Sequence, residues 1–162
     1  MHSKPALMHN CALCKKNVMQ IRLSTDADTA VLADIWRASV RATHDFLSEA
    51  DFREIDALVA RHYLPATRVW VAVDETGRPR GFLGLSGAHV DALFIDPDSR
   101  GRGVGRLLLA HAGALAGRLT VDVNEQNGQA LGFYRHMGFE STGRSPTDDA
   151  GRPYPLLHMR QL

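Results

Sequence analysis

The 162-residue chain has no apolar run longer than a handful of residues. That excludes a transmembrane helix, which needs about 20 consecutive apolar residues. It carries almost no net charge, with 19 Lys and Arg against 18 Asp and Glu. A near-neutral chain lacks the global field that draws proteins onto nucleic acid or membrane surfaces. Only two cysteines are present, so no disulfide framework is available. None is needed, because a chain of this size buries roughly 68–70% of its unfolded surface. Residues 1–18 lack the apolar stretch of a secretory signal, so the expectation is a reducing cytoplasm. With 44% hydrophobic and 23% charged residues, evenly mixed, the chain is neither disordered nor collagenous. A single domain is expected.

Cys11 and Cys14 form C-x-x-C in a polar stretch. His2 and His9 would complete four ligands, but the spacing matches no familiar zinc module, so no metal is expected. No strand precedes Cys11, which argues against a thioredoxin-type pair. The folded pattern begins at Met19. Residues 1–18 are therefore expected to be a poorly ordered extension, and 19–162 the domain.

Met19–Ser24 alternates apolar and polar residues and reads as a half-buried strand. Val31, Ile35, Trp36 and Val40 then recur at helical spacing, predicting a helix from Asp28 to Arg41. A second helix starts after Ser48, carries Phe52, Ile55, Leu58 and Val59, and should end before Pro65. Val69–Val73 is a continuous run of β-formers, hence a central strand. A turn leads to a return strand, Gly81–Ser86, and a further strand, His89–Ile95, stops at Asp96-Pro97. The second half predicts a helix at Leu107–Ala116, a strand at Leu119–Val123, a helix at Gly128–His136 and a strand at Phe139–Thr142. A long polar loop, Ser145–Pro155, precedes a last strand, Leu156–Arg160. The order β-α-α-β-β-β-α-β-α-β-β is that of an α/β mixed sheet with helices on both faces.

Between the strand ending at Ile95 and the next helix lies Arg100-Gly101-Arg102-Gly103-Val104-Gly105-Arg106. A strand, a glycine loop and a helix start make an anion site, because first-turn N–H groups have no intrahelical partners. The glycines let the backbone approach the anion, and the arginines add guanidinium donors suited to phosphate. The Walker pattern is absent, and G-x-G-x-x-G fails from either starting glycine. What fits is Arg-x-x-Gly-x-Gly at Arg100, Gly103 and Gly105. A flexible connector with solvated arginines is the bland alternative for this loop taken alone.

The loop, preceded by Leu93-Phe94-Ile95-Asp96-Pro97, resembles the acetyl-CoA pyrophosphate loop of the GNAT superfamily of N-acetyltransferases. Asn127 to Phe139 is similar to that family's N-x-x-A-x-x-x-Y-x-x-x-G-F segment. The resemblance covers residues 19–162. Segments around Thr43–Leu47, Trp70–Val73 and Gly151–Leu157 resemble its bacterial YjaB-like subgroup. It implies a GNAT-like, mostly antiparallel sheet with a V-shaped splay beside the strand before the loop. Pantetheine of acetyl-CoA enters that gap. By this likeness Leu93, Phe94 and Ile95 meet pantetheine or acetyl through the main chain. Backbone N–H groups of Arg100, Gly101, Arg102, Gly103, Val104, Gly105 and Arg106 hold the pyrophosphate. Asn127 contacts the cofactor arm, and Tyr134 faces the thioester sulfur.

Acetyl transfer to an amine sets three chemical requirements. The ammonium, with a pKa near ~10, must lose a proton. The oxyanion needs a donor, such as a strand N–H. The departing thiolate leaves more readily when a hydroxyl protonates it, and Tyr134 is the candidate acid. By spacing alone Tyr134 reads rather as a core aromatic paired with Phe133, and the resemblance reverses that preference. His44, in the gap between the first two helices, and His89, at the start of the strand before the loop, are candidates for the general base. A water relay is the alternative, with Asp91 nearby and Asn124 placed to orient a water. Trp36 and Trp70 read as core. Asp45, Glu49 and Asp51 could attract a cationic amine or simply suit a helix N-terminus. Asp148 and Asp149 read as turn formers.

Two function classes follow. One is an acetyl-CoA-dependent N-acetyltransferase, acting in a ternary complex on a primary amine. The other is a noncatalytic CoA-binding sensor or partner-binding module on the same fold. The acceptor ranges from a small-molecule amine to a peptide or protein amine. Neither nucleic acid nor membrane is expected as a partner, since the arginines sit on one short loop without aromatics beside it. A homodimer is common in the superfamily.

Overall fold

The computed structural model describes residues 18–162. Cys11 and Cys14 lie outside the described residues. The strands are β1 (Gln20–Leu23), β2 (Trp70–Val73), β3 (Pro79–Ser86), β4 (His89–Ile95), β5 (Thr120–Asn124), β6 (Phe139–Ser145) and β7 (Leu156–Gln161). The helices are α1 (Thr29–Thr43), α2 (Glu49–Leu58), α3 (Leu64–Ala66), α4 (Val104–Ala116) and α5 (Gly128–His136). One seven-stranded sheet has the order β1-β2-β3-β4-β5-β7-β6. Every pairing is antiparallel except β4 with β5. Among the described residues, no helix is long and apolar enough to cross a membrane.

Strand alternation divides the core in two. Val71 and Val73 face α1 and α2, together with Leu32, Trp36, Phe52 and Phe82. Ala72 faces the other way, with Leu108 and Leu109 of α4, Val121 and Val123 of β5, and Tyr134 of α5. The helices therefore lie on both faces of the sheet, each burying one apolar stripe.

Most element ends lie within two residues of the sequence pattern, and four differences have a structural reason. Val31 is 39% exposed, and the inward row of α1 is Leu32, Ile35, Trp36 and Val40. The second helix does not stop before Pro65. It passes through a π turn, Val59–Tyr63, where the Leu64 N–H reaches back five residues to Val59. That wider turn lets the chain absorb Pro65, which has no N–H and otherwise crowds the carbonyl one turn back. Pro65 then sits in the first turn of α3, where its missing donor is tolerated. Helix α4 starts at Val104, three residues earlier than its Ala/Leu content suggests, because Gly103 caps it at φ +78°. Strand β6 runs to Ser145, since residues beyond Thr142 still pair with His158, Leu157 and Leu156.

Two irregularities in β4 shape the site. Gly84 pairs with Ala92 and Leu85 with Val90, so Asp91 is an extra, bulged residue. On its other edge β4 pairs with β5 only at His89–Thr120 and Val90–Val121. Beyond Val90 the two strands part. One edge of Leu93, Phe94 and Ile95 is then without a strand neighbour, although each stays half-buried.

Candidate functional site

The gap left by the parting strands opens into a cavity of about 390 Å³. Leu93, Phe94 and Ile95 of β4 form one wall. The floor is the start of α4, with Arg100, Gly101, Gly103, Val104, Gly105 and Arg106. Asn127, Phe133 and Tyr134 close the side opposite β4. Of the loop residues expected at a cofactor, only Arg102 is absent from this lining.

The helix start is built to receive an anion. Gly101 at φ +73° and Gly103 at φ +78° bend the chain in the left-handed region that L side chains rarely enter. No side chain caps α4, so its first-turn N–H groups keep their donor capacity. Gly105 serves another need: a Cβ there would meet the Phe133 ring at 3.1 Å. Gly105 thus lets α5 approach α4 across the cavity. Arg100 reaches the Ser39 carbonyl at 3.5 Å, and Arg106 approaches His136 at 3.4 Å.

Asn127 is committed in part. Its Oδ1 accepts from the Ala130 N–H at 3.1 Å and caps α5. Its backbone is engaged as well, the N–H donating to the Asn124 carbonyl at 3.0 Å and the carbonyl accepting from the Leu131 N–H at 3.1 Å, so the side-chain amide nitrogen is the donor left for a ligand. Tyr134 is buried between Phe133 and Phe139, both edge-on at centroid distances of 5.3 and 5.2 Å. It is thus a core aromatic and a cavity wall at once. Burial pushes its hydroxyl pKa well above the ordinary tyrosine value, so it holds its proton at neutral pH.

A second cavity of about 560 Å³ lies on the α1–α2 side of the sheet. His44 and Phe94 line both cavities, so the two adjoin there. Asp91 of the bulge, His89, and Asp122 and Asn124 of β5 also face the second cavity. Burial lowers the pKa of His44, and the Arg100 charge lowers it further, against an opposing effect of Asp45. His44 is therefore a neutral imidazole at neutral pH. Its Nδ1 lies 2.7 Å from the Thr43 hydroxyl.

The rim of this cavity comes from the β6–β7 loop, which is clasped to α2. The Tyr154 hydroxyl donates to Asp51, and the Ser48 N–H donates to that hydroxyl at 3.3 Å. Arg152 pairs with Glu54 at 2.8 Å and with Asp148 at 3.3 Å. These contacts hold Asp51 below the usual carboxylate range, chiefly through Tyr154. Of the acidic cluster read from the sequence, Asp51 thus holds the loop and Glu49 pairs with Arg41. Asp148 does form a turn, accepting from the Ala150 and Arg152 N–H groups, and it also lines the cavity.

Sequence reasoning gave no site role to several of these residues. Arg152 and Tyr154 fall in the Gly151–Leu157 segment but stood there only for the resemblance, and Asp122 and Tyr63 fall in no short motif. The alternation of β5, with Val121 and Val123 inward, was the one available signal that Asp122 and Asn124 share the opposite face.

Two adjoining cavities, one floored by an uncapped helix start and one lined by histidines and carboxylates, have the layout of a two-substrate transferase. The family profile described as an acetyltransferase (GNAT) domain matches residues 65–141. The chain belongs to the GNAT acetyltransferase family and is an acetyl-CoA-dependent N-acetyltransferase. It is 54% identical over 142 residues to the peptidyl-lysine N-acetyltransferase YjaB of Salmonella typhimurium, covering 88% of this chain and 97% of that protein. Identity to YjaB of Escherichia coli is 55% over 142 residues, covering 88% and 96%. The solution structure of apo YjaB from Escherichia coli superposes with a TM-score of 0.86 at 53% identity, covering 90% of this chain and 98% of that one.

Proposed function

We propose that the chain acetylates lysine side chains of peptides or proteins, with acetyl-CoA in the smaller cavity and lysine in the larger. The YjaB relatives are peptidyl-lysine N-acetyltransferases, which supports the acceptor class. The observation that carries the reading is that the two cavities adjoin at His44 and Phe94, beside the open edge of β4. There a thioester held along β4 and an amine from the second cavity can meet directly.

In this reading the pyrophosphate rests on the N–H groups at the start of α4, with Arg100 and Arg106 beside it. Pantetheine runs along Leu93–Ile95 and uses the unpaired strand edge. The lysine ammonium first gives one proton to a base, and either His44 or His89 lies on the acceptor wall. The freed lone pair forms the C–N bond, and the carbonyl π pair moves to oxygen, where a β4 N–H stabilises it. Collapse breaks the C–S bond. The second nitrogen proton ends on the CoA sulfur by way of Tyr134, which donates its own proton and is reprotonated. Ammonium and thioester become amide, CoA thiol and one released proton.

The test is thermal unfolding with acetyl-CoA, CoA and NAD, followed by CoA release with a lysine peptide. Ligand at ~100 times its Kd stabilises by about 2.7 kcal/mol. For a chain of this size, Tm rises by roughly 5–11 °C. A rise with acetyl-CoA and CoA but not NAD, and thiol release that depends on the lysine side chain, are expected. No shift at millimolar ligand would remove the loop as a pyrophosphate cradle.

A further inference from the structure

The larger cavity offers two imidazoles, and their surroundings differ in sign. A general base must tolerate the positive charge it acquires. His44 is desolvated and faces Arg100, and both conditions oppose an imidazolium. His89 faces a carboxylate: its Nε2 lies 3.7 Å from Asp122 Oδ2. Its Nδ1 lies 2.8 Å from the Thr120 hydroxyl. Taking the ring proton on Nδ1, toward Thr120, leaves Nε2 bare to accept a proton from the cavity. At 3.7 Å the Asp122 carboxylate lies beyond hydrogen-bond length of that nitrogen, but its charge is near enough to stabilise the imidazolium that forms.

Asp122 is itself held in place. His158, its partner in the β5–β7 register, sits with Nδ1 2.6 Å from Asp122 Oδ1. A carboxylate only accepts, which assigns the His158 proton to Nδ1. The bare Nε2 of His158 then accepts from the Ser145 hydroxyl at 2.7 Å. Ser145 thus donates to His158 and His158 to Asp122, so both bonds point their positive ends toward the carboxylate. One Asp122 oxygen is fixed from behind, and the other stays free on the cavity side. The set does not form a metal site, since no three or more His, Cys, Asp or Glu among the described residues are grouped to hold an ion.

We infer that Asp122 is a positioning residue for acetyl transfer that acts through His89, stabilising the imidazolium formed when His89 accepts the ammonium proton, with His158 and Ser145 holding the carboxylate in place. This rests on the lysine-acetylation reading above. His89 Nε2 takes one N–H proton from the ammonium, and the nitrogen lone pair so freed attacks the thioester carbon. The imidazolium later returns that proton to solvent.

The experiment compares wild type, H89A, D122N, H89A/D122N and H44A, with acetyl-CoA and an Nα-acetylated lysine peptide, by release of CoA thiol. D122N should lower kcat by at least about tenfold and leave acetyl-CoA affinity unchanged. It should have no further effect on kcat in the H89A background, because the two act as one unit. Added imidazole should restore part of the activity of H89A, and much less in H89A/D122N. H158N, which keeps a donor near the Nδ1 position, should retain more activity than H158A. Should D122N fail to fold by thermal melt, D122E keeps the charge and displaces it, and a lowered kcat with unchanged acetyl-CoA affinity is again expected. Effects of H89A and D122N that multiply, imidazole rescue indifferent to Asp122, or a base role for His44 alone would overturn the inference while leaving the enzyme reading intact. A wild-type chain that binds acetyl-CoA but acetylates no lysine would overturn the acceptor reading as well.

Discussion

Replacing Tyr63 by Phe should make the protein more stable. The Tyr63 hydroxyl is buried and has no hydrogen-bond partner among the described residues. Burial first, and then the nearby Asp91, push its pKa up to about 12. The oxygen lies over Gly84, where a Cβ would sit only 1.8 Å from it. A buried polar group without a partner costs about 1–3 kcal/mol, and deleting the group removes that cost while keeping the ring. The ring of Tyr63 lines a cavity and can relax, so the lower end applies, about 1 kcal/mol. Tm should then rise by roughly 2–4 °C in a calorimetric or dichroism melt at neutral pH. The pH dependence carries a second signature. The folded hydroxyl keeps its proton up to about pH 12, whereas an unfolded tyrosine loses it near pH ~10. Between those values the folded state binds more protons, so stability falls as pH rises through the window. Tyr63→Phe should show a shallower fall. Tyr63 also lines the second cavity, so the KM for a lysine peptide should be measured alongside the melt. A lower Tm in the variant, with the alkaline fall unchanged, would refute the claim that this hydroxyl is unpartnered.

Three further outcomes are expected. Tyr134→Phe should lower kcat tenfold or more with acetyl-CoA affinity nearly unchanged, by steady-state kinetics and titration calorimetry; an unchanged kcat removes Tyr134 from the mechanism. Gly103→Ala forces a side chain into a left-handed cap at φ +78°, at a cost of about 1–2 kcal/mol, and should weaken acetyl-CoA binding measurably by calorimetry. Asp28, held at a pKa of about 2 chiefly by Arg22, should contribute stability that is present above pH ~4 and is lost as pH falls toward 2; Asp28→Asn should flatten the acid limb of a denaturation series.

The donor half of the site was legible because its chemistry is local. A strand end, two glycines and the first turn of a helix lie within one continuous stretch, from Ile95 to Arg106. The donors left open there are backbone N–H groups, and a sequence displays backbone behaviour through glycine positions. The same holds for α5, whose bounds, Gly128–His136, follow from the Asn127 cap and the glycine at 138. Helix α2 was misjudged at Pro65 because a π turn leaves no mark in the residues themselves. Only the packing of Tyr63 against Gly84 and the acceptor cavity shows what that wider turn presents.

The second cavity was legible only in part: His44, His89, Asp91 and Asn124 stood out as residues, but the contacts among its polar groups did not, and the reason is geometric rather than a lack of chemistry in the chain. Its polar contacts join residues far apart in sequence: His89 with Thr120, Asp122 with His158, and Asp51 with Tyr154. Each pair exists only once sheet register and the clasp of the β6–β7 loop are set. A one-residue slip of β7 against β5 would turn His158 to the other face and leave Asp122 without its partner. Register is fixed by the apolar side of the same strands, where Val121 faces Met159 and Val123 faces Leu157. The core packing on the α4–α5 face therefore decides which polar groups meet on the acceptor face. Substitutions at Met159 that allow β7 to slip should lower activity through the lost His158–Asp122 contact, although no atom of Met159 touches the cavity.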